Sequence, residues 1–177
     1  AYRLIANATT ALHYVNPSAP TYVKGTRYTF SFFAKSGPGC DSAYMSTGAV
    51  INQSFTINDS TKDALTGISA MTAGETTQAG KLAWTKEIYT TTGARSGWKR
   101  CFVSWIEDGN STNLRLGPVS GASGESFLGD ASTTYIDVYC PQLNVGFGEF
   151  TPCPTVGAAI TTLGLREDIP KWRKIGR

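Results

Sequence analysis

Residues that carry chemistry are scarce in this chain. Across 177 residues there is one histidine, and charged residues make up only 16%. A single histidine limits acid–base and triad mechanisms. There is no Gly-x-Ser-x-Gly elbow, no His-Glu-x-x-His and no Cys-x-x-Cys pair. Glycosidase chemistry needs two carboxylates across a cleft. Glu107 and Asp108 are adjacent, so on a strand they would point to opposite faces, and they read as turn residues. Gly146-x-Gly148 lacks the third glycine and the strand–helix setting of a nucleotide loop. No apolar run approaches the ~18 residues that a membrane helix requires. No apolar leader follows Arg3, and no stretch keeps a helical period over ten residues; Ala158 to Leu165 comes nearest, with too much Gly and Thr. The expectation is a protein that is not an enzyme, holds no cofactor or metal, and does not enter a membrane.

The body also carries no net charge. Of the sixteen Lys and Arg, five lie from Arg166 onward, with Glu167 and Asp168 beside them. That leaves eleven cations against eleven of the thirteen acidic residues before Arg166, a neutral sum. A nucleic-acid groove needs clustered cations, so no nucleic-acid partner is expected. The division predicted is a folded unit over 1–163 and a basic tail over 164–177, in which Trp172 and Ile175 would suit docking on a neighbour. The four cysteines allow three pairings. Cys101 and Cys140 lie in apolar strands and read as buried small hydrophobes, Cys40 lies in a Gly/Pro loop, and Cys153 lies between prolines. Reduced thiols are expected.

What the sequence does have is alternation. The stretch on which the fold hinges is Thr134 to Thr155, TYIDVYCPQLNVGFGEFTPCPT. Ile136, Val138 and Cys140 fall on one side, with Tyr135, Asp137 and Tyr139 on the other, which predicts a strand with one face in a core. After Leu143 come Gly146, Gly148, Pro152 and Pro154, so the strand gives way to an irregular return. Earlier, Arg27 to Lys35 puts Tyr28, Phe30, Phe32 and Ala34 on one face; Phe33 makes the other face more than a solvated one. Further strands are expected at Tyr2 to Ile5, Leu12 to Val15, Ala43 to Thr47, Ala49 to Ile57, Leu65 to Met71, Leu82 to Thr91, Trp98 to Ile106 and Leu114 to Val119. Apolar positions predicted inward include Leu82, Trp84 and Ile88, and Leu114 and Leu116. Trp98 to Ile106, WKRCFVSWI, is apolar on both faces, as in the centre of a packed sheet. Short strands separated by turns predict an all-β fold, a two-sheet antiparallel sandwich.

Three ordered stretches carry a resemblance. They are His13 on a short strand with Gly25, Tyr28-Thr29-Phe30-Ser31, Lys35 and Gly37; Trp98-Lys99-Arg100; and, late in the chain, Gln142-Leu143, Gly146 and Phe150-Thr151-Pro152. In these the chain resembles bacteriophage tail and fibre proteins with a carbohydrate-binding-module-like jelly roll, over about Leu12 to Thr162. Pro141, Asn144 and Cys153 depart from that family's pattern. The resemblance implies a jelly roll, a virion location with assembly in the bacterial host cytoplasm, and partners that are other copies of itself or other virion proteins. It also implies cell-surface polysaccharide as the candidate ligand. The alternative is a carbohydrate-binding module of a secreted polysaccharide-active enzyme. Related modules often hold a structural calcium with an acidic residue on the last strand, where Asp137 stands; one carboxylate does not make such a site, since calcium takes ~6–8 oxygens.

Sugar rings lay their C–H faces on aromatic side chains, with amides and charges bonding the hydroxyls. The candidate carbohydrate-binding residues are therefore Tyr44, Trp84, Tyr89, Trp105 and Arg115, with Asn52, Gln53 and Asp108 as polar helpers. The same rings have a competing place in the core, where Trp and Tyr on strands commonly sit. His13 reads as a structural group.

Overall fold

The computed structural model describes residues 1–16, 20–48, 52–57, 81–87, 97–120 and 126–152. They form ten strands and, among the described residues, no helix: β1 (Tyr2–Ile5), β2 (Thr10–Leu12), β3 (Arg27–Ser36), β4 (Ser42–Ser46), β5 (Asn52–Thr56), β6 (Leu82–Glu87), β7 (Trp98–Ile106), β8 (Arg115–Val119), β9 (Ser126–Leu128) and β10 (Tyr135–Val145). One sheet has five strands in the order β1-β10-β3-β7-β6, a second has three in the order β5-β4-β8, and β2 pairs β9 apart from both. All pairings are antiparallel. The chain crosses between the two larger sheets after β3, β5 and β7, and again on its way from β8 to β10. This is the two-sheet antiparallel sandwich that the alternation predicts. The expected strand at Leu65 to Met71, the weak helical stretch Ala158 to Leu165, Ile88, Cys153 and the boundary between 1–163 and the tail lie outside the described residues.

One core fills the space between the sheets. Tyr28, Phe30, Phe32 and Ala34 of β3 meet Cys101, Val103 and Trp105 of β7, Ile136 and Val138 of β10, and Ala43, Met45, Phe55 and Leu116 of the smaller sheet. Phe32 packs edge-on against Phe55 across the two sheets, ring centroids 5.6 Å apart. On β6 the inward residue is Ala83, in register with Val103, while the half-buried Leu82, expected inward, pairs with Ser104. The reason is physical: this sheet is covered on parts of both faces, and an apolar residue there does not mark the inward side.

β10 departs from a simple alternation at its middle. Tyr139 pairs with Phe33 and Gln142 with Ser31, so Cys140 and Pro141 together face Phe32 alone. This is a β-bulge. Cys140 takes a left-handed φ of 49°, and Pro141, which has no N–H to give a ladder, stands at the irregular position where one is tolerated. The extra residue reverses the alternation. Before the bulge Ile136 and Val138 point inward; after it Leu143 packs on the core. Cys140, expected to be buried with Ile136, is instead half-buried. Cys40 and Cys101 are buried, and no disulfide joins the described cysteines. Burial, with the nearby Asp41 and Asp130 carboxylates, pushes the Cys40 thiol up to about 12.

The segment before β3 differs from expectation as well. β2 stops at Leu12, and Val15 returns as an isolated bridge that exchanges both backbone hydrogen bonds with Leu116, at 2.8 and 3.1 Å. Between them the buried His13 sets its Nε2 3.0 Å from the Phe127 carbonyl oxygen and its ring edge-on to Phe127. The partner strand β9 is three residues long and carries no alternation that a sequence reading could catch.

Two carboxylates shape turns. Asp130 accepts the N–H groups of Ser132, Thr133 and Thr134 and the Thr133 hydroxyl, which hold it well below the usual carboxylate range. Glu107 is buried and accepts the Trp105 indole N–H at 3.1 Å and the N–H groups of Gly109 and Ser111 at 2.9 and 3.1 Å. Burial pushes its pKa up, and the hydrogen bonds from Ser111, Trp105 and Gly109 outweigh that and hold it below the ordinary value. Because the folded pKa is depressed, the unfolded chain binds the proton first, and stability falls as pH drops through the folded value. Glu107→Gln is expected to lose about 1–3 kcal/mol at pH 7. In urea titrations from pH 7 to pH 3, its deficit against the parent should shrink below about pH 4, where the unfolded parent chain begins to take up the proton that the folded one still excludes.

Candidate functional site

The outer face of the five-stranded sheet divides into two halves. The lower half is roofed. Downstream of β10, residues Gly146 to Pro152 fold back as a strap over it. The Thr29 hydroxyl donates to the Gly146 carbonyl at 2.7 Å, the Gln142 side-chain amide to the Thr151 carbonyl at 3.3 Å, and Arg100 Nη2 to the Phe150 carbonyl. Beneath the strap, Thr29, Ser31, Phe102 and Ser104 are buried, which is why β3 and β7 read as apolar or small on both faces. Arg100 is only 9% exposed. It lies 4.7 Å from the Phe102 ring centroid and 5.3 Å from that of Phe33, and donates to the Ser31 hydroxyl at 3.1 Å. Burial lowers its pKa, while the strap's Glu149 acts in the opposite sense.

The upper half is open. Two residues apart on each strand, the register sets successive rows across it. In one row Arg100, Phe33 and Tyr139 are neighbours on β7, β3 and β10. In the next, Trp98, Lys35, Asp137 and Arg3 lie side by side on β7, β3, β10 and β1. Beyond them Tyr135 pairs with Ile5. Tyr139 is 41% exposed, and Phe33, Lys35, Trp98, Tyr135 and Asp137 are half-buried. The rings of Phe33 and Tyr139 lie 5.9 Å apart. Arg3 grips Asp137 with two hydrogen bonds, 2.9 and 3.2 Å, and lays its guanidinium 3.8 Å from the Tyr135 ring centroid. Aromatic rings, a fixed carboxylate and the cations Arg3, Lys35 and Arg100 thus share one rigid sheet surface.

Of the residues singled out from the sequence, Tyr44, Trp105 and Arg115 do not belong to this face. Tyr44 is 1% exposed and Trp105 0%, so neither ring offers a face to a sugar. Trp105 belongs to the core, where Tyr28 and Tyr22 flank it. Trp84 stands on β6 in register with Phe102, and Tyr89 lies outside the described residues. Arg115 is on the other sheet, its guanidinium 4.7 Å from the Tyr14 ring centroid. Gln53 is buried and donates to the Ser54 carbonyl, Asn52 pairs in register with Ser46, and Asp108 accepts the Asn110 N–H in its turn. Asp137, the position of the implied calcium ligand, gives both carboxylate oxygens to Arg3. Among the described residues there is no group of three or more His, Cys, Asp or Glu placed to hold a metal.

The signal for the open face was present in the alternation. Tyr135, Asp137 and Tyr139 share the outward side of β10, and Phe33 shares that of β3. What the sequence lacks is the register that makes them neighbours and the strap that leaves them, and not Thr29 or Ser31, uncovered. No protein-family model matches this chain, and no curated protein matches it.

Proposed function

We propose that this chain is a non-enzymatic structural protein of a bacteriophage particle, a tail, fibre or decoration component, whose open sheet face grips polysaccharide on the host surface. The observation that carries the glycan reading is the row of Phe33 and Tyr139 beside Lys35, Asp137 and Arg3. Rings supply the apolar platform for sugar C–H faces, and the flanking charges supply directional bonds to hydroxyls. The setting in a virion is supported by the ordered resemblance from His13 to Pro152. Virion proteins act in many symmetric copies, so copies of itself or other virion proteins are the expected partners. A shallow face of this kind suits that setting, because many weak contacts made together yield avidity.

The test is an array of bacterial surface polysaccharides probed with a multivalent form of the chain. Tyr139→Ala is expected to weaken binding about ten-fold, the loss of part of one aromatic burial. Leu128→Ala, exposed on β9, should leave it unchanged. Binding by Tyr139→Ala equal to that of the parent, or no binding to any polysaccharide, contradicts the reading.

A further inference from the structure

The charges on the open face do not cancel. Arg3 spends two donors on Asp137. Arg100, one row down, lies in the field of Glu149. Lys35 stands between Asp137 and Trp98 in register, yet the ion pair that Asp137 makes is with Arg3, and Lys35 has no carboxylate within ion-pair distance among the described residues. Among the described side chains of the site, three cations, Arg3, Lys35 and Arg100, stand against two carboxylates, Asp137 and Glu149, and the cation with no carboxylate within ion-pair distance is Lys35. It is half-buried, and a Cβ added at Gly97 would sit 3.7 Å from its Cε, so its stem runs along the β7 end of the face beside Trp98. An ammonium held on a half-covered aromatic surface is short of water and gains from an anionic partner.

Resting on the glycan reading above, we infer that the ligand of this face is an acidic polysaccharide, one whose sugars carry carboxylates, with Lys35 receiving a carboxylate while the neighbouring ring stacks on Tyr139 and Phe33. A neutral glycan would leave the Lys35 charge unanswered. A strand of uronic-acid sugars would place a carboxylate near Lys35 without displacing the Arg3–Asp137 pair.

The experiment uses the whole chain and a panel of acidic and neutral capsular polysaccharides, each acidic one paired with its carboxyl-reduced form, in which every carboxylate has become a primary alcohol. Binding is expected to the acidic members only. It should fall about ten-fold or more on carboxyl reduction, and about ten-fold for Lys35→Gln, as for loss of one charge-assisted hydrogen bond. Lys35→Arg should retain most of it. Equal binding of native and carboxyl-reduced forms, or an unchanged Lys35→Gln, overturns the inference and leaves the glycan reading standing. Binding to no member of the panel, native or reduced, contradicts both.

Discussion

Trp105→Ala is expected to lower the stability of the fold by about 3–5 kcal/mol, the usual range for truncating a buried tryptophan. The ring is 0% exposed, and its centroid lies 5.8 Å from that of Tyr28 and 6.2 Å from that of Tyr22. Removing it leaves a cavity at the heart of one end of the sandwich. It also strips one donor from Glu107, a buried carboxylate that relies on its hydrogen bonds. In a chain of this length the loss corresponds to a melting temperature roughly 6–20 °C lower. Trp105→Phe keeps much of the volume and loses only the indole N–H, so its deficit should be smaller, about 1–3 kcal/mol. Urea unfolding measures both, with a shifted midpoint at unchanged slope. A Trp105→Ala chain of parental stability would place this ring on the surface and contradict the core described above.

The second large effect concerns a glycine whose φ is ordinary. A Cβ on Gly117 would lie 1.8 Å from the His13 carbonyl oxygen and 2.9 Å from the Tyr14 Cα. Both obstacles are backbone, so no side-chain rotation relieves the clash. Gly117→Ala must push the His13–Tyr14 segment off β8 and break the Val15–Leu116 bridge. Overpacking of this kind costs about 3 kcal/mol, the upper end of the usual range. Gly25 is the informative comparison: its φ is +79° with open space around it, so Gly25→Ala should cost only about 1–2 kcal/mol of backbone strain. Hydrogen exchange should show the Val15 and Leu116 amides losing protection in Gly117→Ala and keeping it in Gly25→Ala. Retained protection and stability in Gly117→Ala would mean that this segment does not cross β8 as described.

How much of this was legible depended on whether a residue's place was fixed by its own strand or by a distant one. The alternation in Arg27 to Lys35 and in Tyr135 to Val138 located the two strands at the centre of the large sheet, because period two is a local property of an extended chain with one covered face. The bulge at Cys140 and Pro141 was not legible: a proline in a strand announces an irregularity, but which side Leu143 then takes depends on pairing with Phe30. Tyr44 and Trp105 read as candidate sugar platforms for the same kind of reason. Tyr44 and Trp105 are aromatic residues on strands, as are Tyr139 and Phe33. Trp105 is covered because its strand turns it between the sheets, and Tyr44 lies on the smaller sheet; which rings stay open depends on register and on the reach of the strap, neither of which is local to a strand. Ala83, inward where Leu82 was expected, shows the limit of hydrophobicity as a guide where a sheet is covered on parts of both faces.

The measurement that bears most directly on the function proposed here is amide chemical-shift mapping during titration with an acidic polysaccharide that scores on the array. Shifts are predicted at Phe33, Lys35, Asp137 and Tyr139, across three neighbouring strands of one face, while Tyr44 and the rest of the three-stranded sheet stay still. Shifts confined to the Tyr14–Arg115 side, with the Phe33–Tyr139 row unmoved, would contradict it.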